Sequence, residues 1–205
     1  LRYRLAPEHP FPGAVEDAAR AYCALLSQGV LAGNMVLAGD SAGGGLTLAT
    51  LVYLRDKGVP LPAGAICFSP WTDLAVTGDS VRQNADNCAM FQEKALHRAA
   101  QQYLGEVSPF HPLASPLYAN LEGLPPILVH ASDSELLTDD SRRIVEFARV
   151  AGVHAQLELY PDQPHVWQLF SLLPEAHDSL RKAATAIKTW TSRQVRPAVG
   201  ELLPS

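Results

Sequence analysis

The sequence has no excess of basic residues and no long apolar run. It holds 16 lysine and arginine residues against 21 aspartate and glutamate residues, for a net charge of −5. It therefore lacks the basic footprint of a nucleic-acid-binding protein, and no nucleic-acid partner is expected. No apolar run reaches the length of a membrane span, and the first residues lack the charged region and apolar run of a signal peptide. These absences favour a cytoplasmic protein.

Cysteine is scarce as well. The three cysteines, Cys23, Cys67 and Cys88, are odd in number and have no paired spacing. Two of them lie in apolar patterns, which favours reduced thiols acting as small core residues over a disulfide framework. The sequence also lacks the Gly-Lys-Ser/Thr ending of a P-loop and the G-x-G-x-x-G fingerprint of a dinucleotide site.

What the sequence does contain is an alternation of strand and helix patterns within 205 residues, a length that fits one domain. This alternation predicts an α/β fold, with a mostly parallel sheet flanked by helices on both faces. The predicted strands are 34–38, 63–69, 127–130 and 155–160, and the predicted helices are 13–28, 42–57, 92–104, 139–151 and about 175–193.

Three stretches depart from this rhythm. Residues 72–112 are polar, show no strand pattern and hold one helix, so they are predicted to be an insertion that forms a partial helical cap, often a lid. Residues 195–205 are expected to be a loose tail. Leu1–Leu5 is typical of the end of a strand that runs into a proline-rich loop. The chain is therefore expected to begin inside a domain.

The most informative motif is Gly39-Asp40-Ser41-Ala42-Gly43, followed by Gly44. It has the G-x-S-x-G form of a nucleophile elbow, in which a serine on a tight strand-to-helix turn exposes its hydroxyl. Gly39 and Gly43 are expected to be required because the backbone passes close to the serine on both sides. The alternative is a turn that binds phosphate at a helix N-terminus. The missing phosphate and dinucleotide fingerprints favour the elbow.

A serine nucleophile needs a histidine base and an acid that fixes the tautomer of that base. In this fold class the chain order is serine, acid, histidine. His165 meets this requirement because it follows the strand 155–160 in a loop, whereas the other six histidines lie in less suitable places.

The candidate acids lie directly after the third strand, within residues 131–140. Asp139 and Asp140 fit a helix N-terminus, where acids satisfy free N–H groups. Asp133 and Glu135 remain, and their position alone does not separate them.

These motifs together resemble the hormone-sensitive-lipase-like family of α/β-hydrolases, the bacterial carboxylesterases, over nearly the whole chain. The resemblance is carried by the nucleophile motif and by five further stretches: Tyr3–Pro12 (YRLAPEHPFP), Pro70–Leu74, Ser115–Leu117, Leu124–Pro126 and His165–Gln168.

The resemblance implies site residues that the spacing left open. Glu135-Leu136-Leu137-Thr138-Asp139 fits the family's acid pattern, which makes Glu135 the implied acid. Most members of the family have aspartate where this chain has Glu135. This departure from the family pattern leaves Asp133 as the alternative acid. The backbone N–H of Ala42 is the implied oxyanion donor.

The resemblance also implies that segments of the family fold are missing. The family's His-Gly-Gly-Gly oxyanion loop, first strands and N-terminal cap helices precede the stretch that begins here at Tyr3. The chain is thus expected to be an N-terminally truncated fragment with unpaired sheet edges, and a catalytically impaired fragment is one alternative reading.

The implied function is a serine carboxylesterase that hydrolyses short-chain acyl esters. Ser41 would attack the ester, His165 would act as base and then acid, and Glu135 would orient the imidazole. The implied partner is a small-molecule ester, and no metal or organic cofactor is implied. The resemblance is also compatible with a homodimer of the full-length protein. Alternatives are amide or peptide hydrolysis and a ligand-binding homologue, but homologous receptors have lost the histidine that is retained here as His165.

Overall fold

The structure is a computed structural model that describes residues 1–88 and 90–192. Within these residues the sheet has four strands in the order β1-β2-β3-β4, and all neighbouring strands are parallel. The strands are β1 (Val36–Asp40), β2 (Gly64–Phe68), β3 (Ile127–Ser132) and β4 (Ala155–Tyr160). The predicted α/β fold with a parallel sheet is confirmed.

Six α-helices accompany the sheet in the described part of the chain. They are α1 (Gly13–Ser27), α2 (Ala42–Asp56), α3 (Ser80–Gln83), α4 (Glu93–Leu104), α5 (Thr138–Val150) and α6 (Pro174–Ser192). Short 3-10 turns lie at Ala32–Asn34, Pro116–Tyr118 and Trp167–Leu169. Neither α3 nor the 3-10 turns were predicted, since elements of three or four residues are too short to show a period. The predicted tail 195–205 lies outside the described residues.

Side chains of the strands alternate between two cores. In β2, Ala65 and Cys67 face a cluster that includes residues of α2 and α5, while Ile66 and Phe68 face α6. Because successive side chains of a strand point to opposite faces, a sheet with apolar side chains on both faces needs helices on both. The predicted layers of helices on both faces are present.

The edge of the sheet at β1 differs from the prediction. Leu1–Leu5 is not a strand, because no strand in the described part of the chain lies where it could hydrogen-bond with these residues. β1 begins two residues later than predicted and is only partly buried, with Ala38 and Asp40 exposed. A cavity of about 780 Å³ runs along β1 and is bounded by Leu1, Tyr22, Leu25 and Ser41 among others.

The cysteines are free thiols, as predicted, but only one is a true core residue. Cys67 is buried in β2, and burial raises the pKa of its thiol to about 12. Cys23 is exposed and Cys88 is intermediate. Two cysteines were expected to be core residues, but only Cys67 is one, and Cys23 lies on the exposed face of α1.

The insertion at 72–112 contains α3 and α4, and the described part of it has no strand. α4 packs its buried face, which includes Leu96, Ala100 and Leu104, against residues that lead out of β2, Trp71 and Leu74 among them. Its role as a cap stays a prediction. Within 1–88 and 90–192, no helix is both long and apolar enough to cross a bilayer.

Candidate active site

Ser41 lies in the turn that joins β1 to α2, in a backbone conformation that is uncommon for a non-glycine residue. Its φ is 53° and its ψ is −119°. The N–H group of Ser41 donates to the carbonyl of Phe68 at 2.8 Å, and the Ser41 carbonyl accepts from the N–H of Trp71 at 2.9 Å. These bonds hold a strained turn at the carboxyl end of β2, which is the arrangement that a nucleophile elbow requires.

The glycines of the motif have different steric roles. A Cβ atom on Gly39 would lie 2.1 Å from the carbonyl oxygen of Gly43, and one on Gly44 would lie 2.7 Å from Cβ of Pro70. A Cβ on Gly43 would meet no atom of the described residues within 4 Å. The steric requirement predicted for Gly39 is therefore present, whereas that predicted for Gly43 is wrong here because its Cβ direction is open.

Replacing Gly39 with alanine is expected to lower the free energy of unfolding by about 3 kcal/mol or more, because the new methyl group overlaps backbone atoms that cannot move aside. Gly43→Ala is the matched control. It is expected to be neutral or to stabilise α2 by up to about 1 kcal/mol, since alanine is the better helix former. Urea denaturation of the two variants measures both values, and equal destabilisation would contradict the steric account.

Glu135 and His165 form a buried pair. The Nδ1 atom of His165 lies 2.5 Å from Oε2 of Glu135, and the other carboxylate oxygen accepts the N–H of Ser132 at 2.8 Å. The two residues are 1% and 4% exposed, respectively. The Phe91 ring contacts the imidazole edge-on, at 4.8 Å between ring centroids. A carboxylate held in this way orients the ring and leaves Nε2 for chemistry.

Asp133, the alternative acid, points elsewhere. It is exposed, and its Oδ1 accepts the backbone N–H of Asp162 at 3.0 Å. It thus binds the loop that leads to His165, not the imidazole. The geometry favours Glu135 as the partner of His165.

Ser41 and His165 are anchored to neighbouring residues at the end of β2. Ser41 donates its N–H to Phe68, and Val166 donates its N–H to Oγ of Ser69 at 3.3 Å. Nε2 of His165 is buried and has no hydrogen-bond partner within 1–88 and 90–192, so it makes no hydrogen bond with Ser41 in this conformation. Catalytic hydrogen bonds are often long without substrate and tighten when it binds.

Backbone donors lie next to Ser41. Ala42 and Gly43 are in the first turn of α2, where N–H groups have no intrahelical acceptor. An apolar cavity of about 230 Å³ opens beside Ala42. Its walls include Gly45, Leu46, Trp71, Leu74 and Tyr103. This volume is below the roughly 300–1,000 Å³ of pockets that hold drug-sized ligands, so the cavity suits a small apolar group.

Asp139 and Asp140 lie in the first turn of α5, as predicted, but they do not cap that helix. Oδ2 of Asp140 accepts the N–H groups of Thr72 at 2.7 Å and Asp73 at 2.8 Å, while Oδ2 of Asp139 accepts that of Ser80 at 2.8 Å. Burial raises the pKa of Asp140 to about 7, although these N–H donors oppose the shift. The predicted role is corrected: both acids bind the 72–112 insertion because its backbone passes over their carboxylates.

His130 is buried within β3, behind the loop that carries His165. Its Nδ1 lies 2.6 Å from Oγ of Ser179, which also accepts a hydrogen bond from Nε2 of Gln168 at 2.9 Å. Burial lowers the pKa of His130 to about 4. Nδ1 of a neutral His130 therefore accepts a hydrogen bond from the Ser179 hydroxyl, and Ser179 in turn holds Gln168 in the turn after His165.

Lowering the pH from 7 to 4.5 is expected to reduce the free energy of unfolding of the wild-type protein by about 2 kcal/mol more than it reduces that of the His130→Gln variant. The pKa of His130 falls from 6.5 to about 4 on folding, so the unfolded chain takes up a proton in this window. The stability that neutral His130 supplies is thus present above pH 6.5 and lost as the pH falls through 4. Urea denaturation measures both proteins at each pH, and the difference between them cancels the opposite contribution of Asp140 to the pH dependence, since both contain Asp140. Parallel pH curves would contradict this account.

Two residues near the site carry no sequence signal of their own. Ser80 and Asn84, at the start and just after the end of α3, bind backbone atoms next to Glu135. Such contacts join segments about fifty residues apart, and no local pattern indicates them. In the part of the chain that the structure describes, no group of three or more His, Cys, Asp or Glu side chains is arranged to hold a metal ion.

Known proteins are similar to this chain in sequence. The family of proteins with the alpha/beta hydrolase fold matches residues 1–169. An acetyl-hydrolase of Streptomyces hygroscopicus is 44% identical over 197 residues, which cover 96% of this chain and 66% of that protein. An esterase of Acinetobacter venetianus is 38% identical over 184 residues, which cover 89% of this chain and 61% of that one.

Solved structures agree with the sequence relatives. The crystal structure of an esterase from the bacterial hormone-sensitive lipase family superposes with a TM-score of 0.92 at 46% identity, over 93% of this chain and 65% of that one. The chain thus spans 61–66% of the length of these three relatives. The chain belongs to the α/β-hydrolase family, in its hormone-sensitive-lipase-like branch.

Proposed function

We propose that the protein is a serine carboxylesterase that hydrolyses short-chain acyl esters. The observation that carries the proposal is the buried Glu135–His165 pair, which lies at the same carboxyl edge of the sheet as the strained turn of Ser41. The esterase and acetyl-hydrolase relatives support the same class of reaction.

The proposed reaction has two halves. His165 Nε2 accepts the Ser41 proton while Oγ attacks the ester carbonyl, and the N–H of Ala42 stabilises the oxyanion that forms. His165 then protonates the leaving alcohol, which yields an acyl-enzyme. In the second half His165 activates a water molecule, and the acid is released from Ser41. Glu135 stays charged and holds the Nδ1–H tautomer throughout.

As part of this proposal, the short acyl chain is assigned to the cavity beside Ala42, which adjoins Ser41 in the chain, while Ser41 itself lines the larger cavity along β1. The walls of the cavity beside Ala42 are apolar, and side chains from the 72–112 insertion and α4, such as Leu74 and Tyr103, close one side. A short alkyl chain gains contact there, whereas a long chain must extend beyond the walls.

The test compares an ester with the matching amide in the longest natural protein that contains this sequence. We expect kcat/KM for p-nitrophenyl butyrate to exceed that for p-nitrobutyranilide by at least about 10³. We also expect kcat/KM to fall by about 10-fold or more from the butyrate to the decanoate ester, because misplacing a reacting group by about 1 Å costs about 10² in rate. Faster anilide hydrolysis would indicate an amidase. Binding of the ester without turnover would indicate a ligand-binding protein.

A further inference from the structure

The loop that carries Glu135, residues 132–138 (the acid loop), is attached to the 72–112 insertion by a side-chain amide. Nδ2 of Asn84 lies 2.9 Å from the carbonyl oxygen of Glu135 and 3.2 Å from that of Asp133. It also lies 3.4 Å from Oγ1 of Thr138. One amide group therefore binds the backbone on both sides of residue 134.

Ser80 adds a second attachment, one helical turn before Asn84. Its Oγ donates to the carbonyl of Leu136 at 2.7 Å and accepts the N–H of Asp139 at 3.0 Å. The backbone N–H of Ser80 donates to Oδ2 of Asp139 at 2.8 Å. Residues four apart lie on the same face of a helical turn, so both side chains reach the acid loop together.

Apolar contacts bury the other side of the same loop. Leu136 and Leu137 are 0% and 1% exposed, and they pack with Val76, Val81 and Leu96 of the insertion. These apolar contacts keep the loop packed against the insertion, but they do not fix the orientation of its peptide groups. The hydrogen bonds from Asn84 and Ser80 are directional and fix the orientation of the peptide groups next to Glu135.

We propose that Asn84 is a positioning residue that aims the Glu135 carboxylate at His165; the proposal rests on the esterase function proposed above. The Glu135 side chain must hold Ser132 N–H with one oxygen and His165 Nδ1 with the other. A rotation of the Glu135 peptide group moves both oxygens. Thr138 Oγ1 donates to the Glu135 carbonyl from within the acid loop at 2.7 Å. Asn84 opposes the same rotation from outside the loop, and the insertion is thereby part of the active-site framework.

Asn84→Ala is expected to lower kcat for p-nitrophenyl butyrate by about 10- to 100-fold, because a displacement of about 1 Å in a catalytic group costs up to about 10² in rate. KM should stay within about twofold, since Asn84 does not line the cavity beside Ala42. Gln83→Ala is the matched control. Gln83 is an exposed neighbour on α3 with no side-chain hydrogen bond to the described residues, and its loss should leave kcat unchanged.

A double substitution separates positioning from general stability. In a Glu135→Gln background, Asn84→Ala should cost less than about twofold more in kcat, because the group that it positions is already gone. A purely structural role would instead give a lower melting temperature and an additive loss. If Asn84→Ala does not fold, Asn84→Ser replaces it, since serine is too short to reach the Glu135 carbonyl.

A spectroscopic measurement tests the positioning of Glu135 without an activity assay. The His165 Hδ1 proton, in its short bond to Glu135, should give a far-downfield ¹H signal that is present in Gln83→Ala and lost or shifted in Asn84→Ala. An unchanged signal and unchanged kcat in Asn84→Ala would overturn the proposal. If Ser41→Ala kept full activity, the esterase function itself would fail, and this outcome is distinct from a failure of the Asn84 proposal alone.

Discussion

Replacing Ser41 with alanine is expected to lower kcat for p-nitrophenyl butyrate by about 10⁶-fold, the scale seen when a serine hydrolase loses its nucleophile. The reason is that Ser41 supplies the only atom that forms the acyl-enzyme bond in the proposed mechanism. KM should change little, because the cavity beside Ala42 keeps its walls. Steady-state kinetics on the longest natural protein that contains this sequence measure both constants.

Ser27→Ala is the control for this prediction. Ser27 is an exposed serine at the end of α1, and its hydroxyl donates to the Ala24 carbonyl within the same helix. Its loss should leave kcat unchanged. A Ser41→Ala variant that kept more than a hundredth of the wild-type kcat would show that another group attacks the ester.

Glu135→Gln is expected to lower kcat by about 10⁴-fold, the cost of replacing a triad carboxylate with an amide of the same size. The glutamine side chain fits the same space. It presents an N–H group or a neutral oxygen to Nδ1 of His165, so it neither holds the correct tautomer nor stabilises the imidazolium that forms.

Asp133→Asn is the comparison that decides between the two acids. Among the described residues, the Asp133 carboxylate accepts only the backbone N–H of Asp162, and an asparagine oxygen can accept the same bond. We expect a change of less than about threefold in kcat, since a surface substitution that keeps its hydrogen bond has little effect. A loss in Asp133→Asn as large as that in Glu135→Gln would move the acid role to Asp133.

Most elements of the fold were predictable because their hydrophobic periods are long. α1, α2 and β4 begin and end within one residue of their predicted positions, and the strand and helix around Ser41 have the order that the motif requires. β1 was misplaced by two residues. Its pattern predicted a buried strand, but burial depends on neighbours in space, and one edge of β1 has none in the described part of the chain.

The spacing narrowed the candidates for the acid to two residues but did not choose between them. Asp133 and Glu135 lie two residues apart in the same turn, and only the backbone conformation decides which carboxylate faces His165. Family resemblance indicated Glu135, and the 2.5 Å contact between Glu135 and His165 agrees with it. Glu135→Gln and Asp133→Asn test the role of this pair in catalysis.

Contacts between distant segments were beyond reach of the sequence. Ser80 and Asn84 lie in a polar stretch with no long period, and their partners are carbonyl groups, which every residue has. Asp140 likewise matched a general rule for helix N-termini, yet its carboxylate binds the backbone of Thr72 and Asp73. Side chain to backbone bonds of this kind depend on the final packing.

Covalent labelling identifies the residue that attacks the ester, which we expect to be Ser41. A p-nitrophenyl alkylphosphonate reacts with an activated serine: Oγ bonds to phosphorus, p-nitrophenolate leaves, and the serine proton passes to the histidine. Peptide mapping by mass spectrometry locates the label. We expect stoichiometric modification of Ser41, lost in His165→Ala. A label on any other residue, or none on a protein that hydrolyses p-nitrophenyl butyrate, would contradict the account.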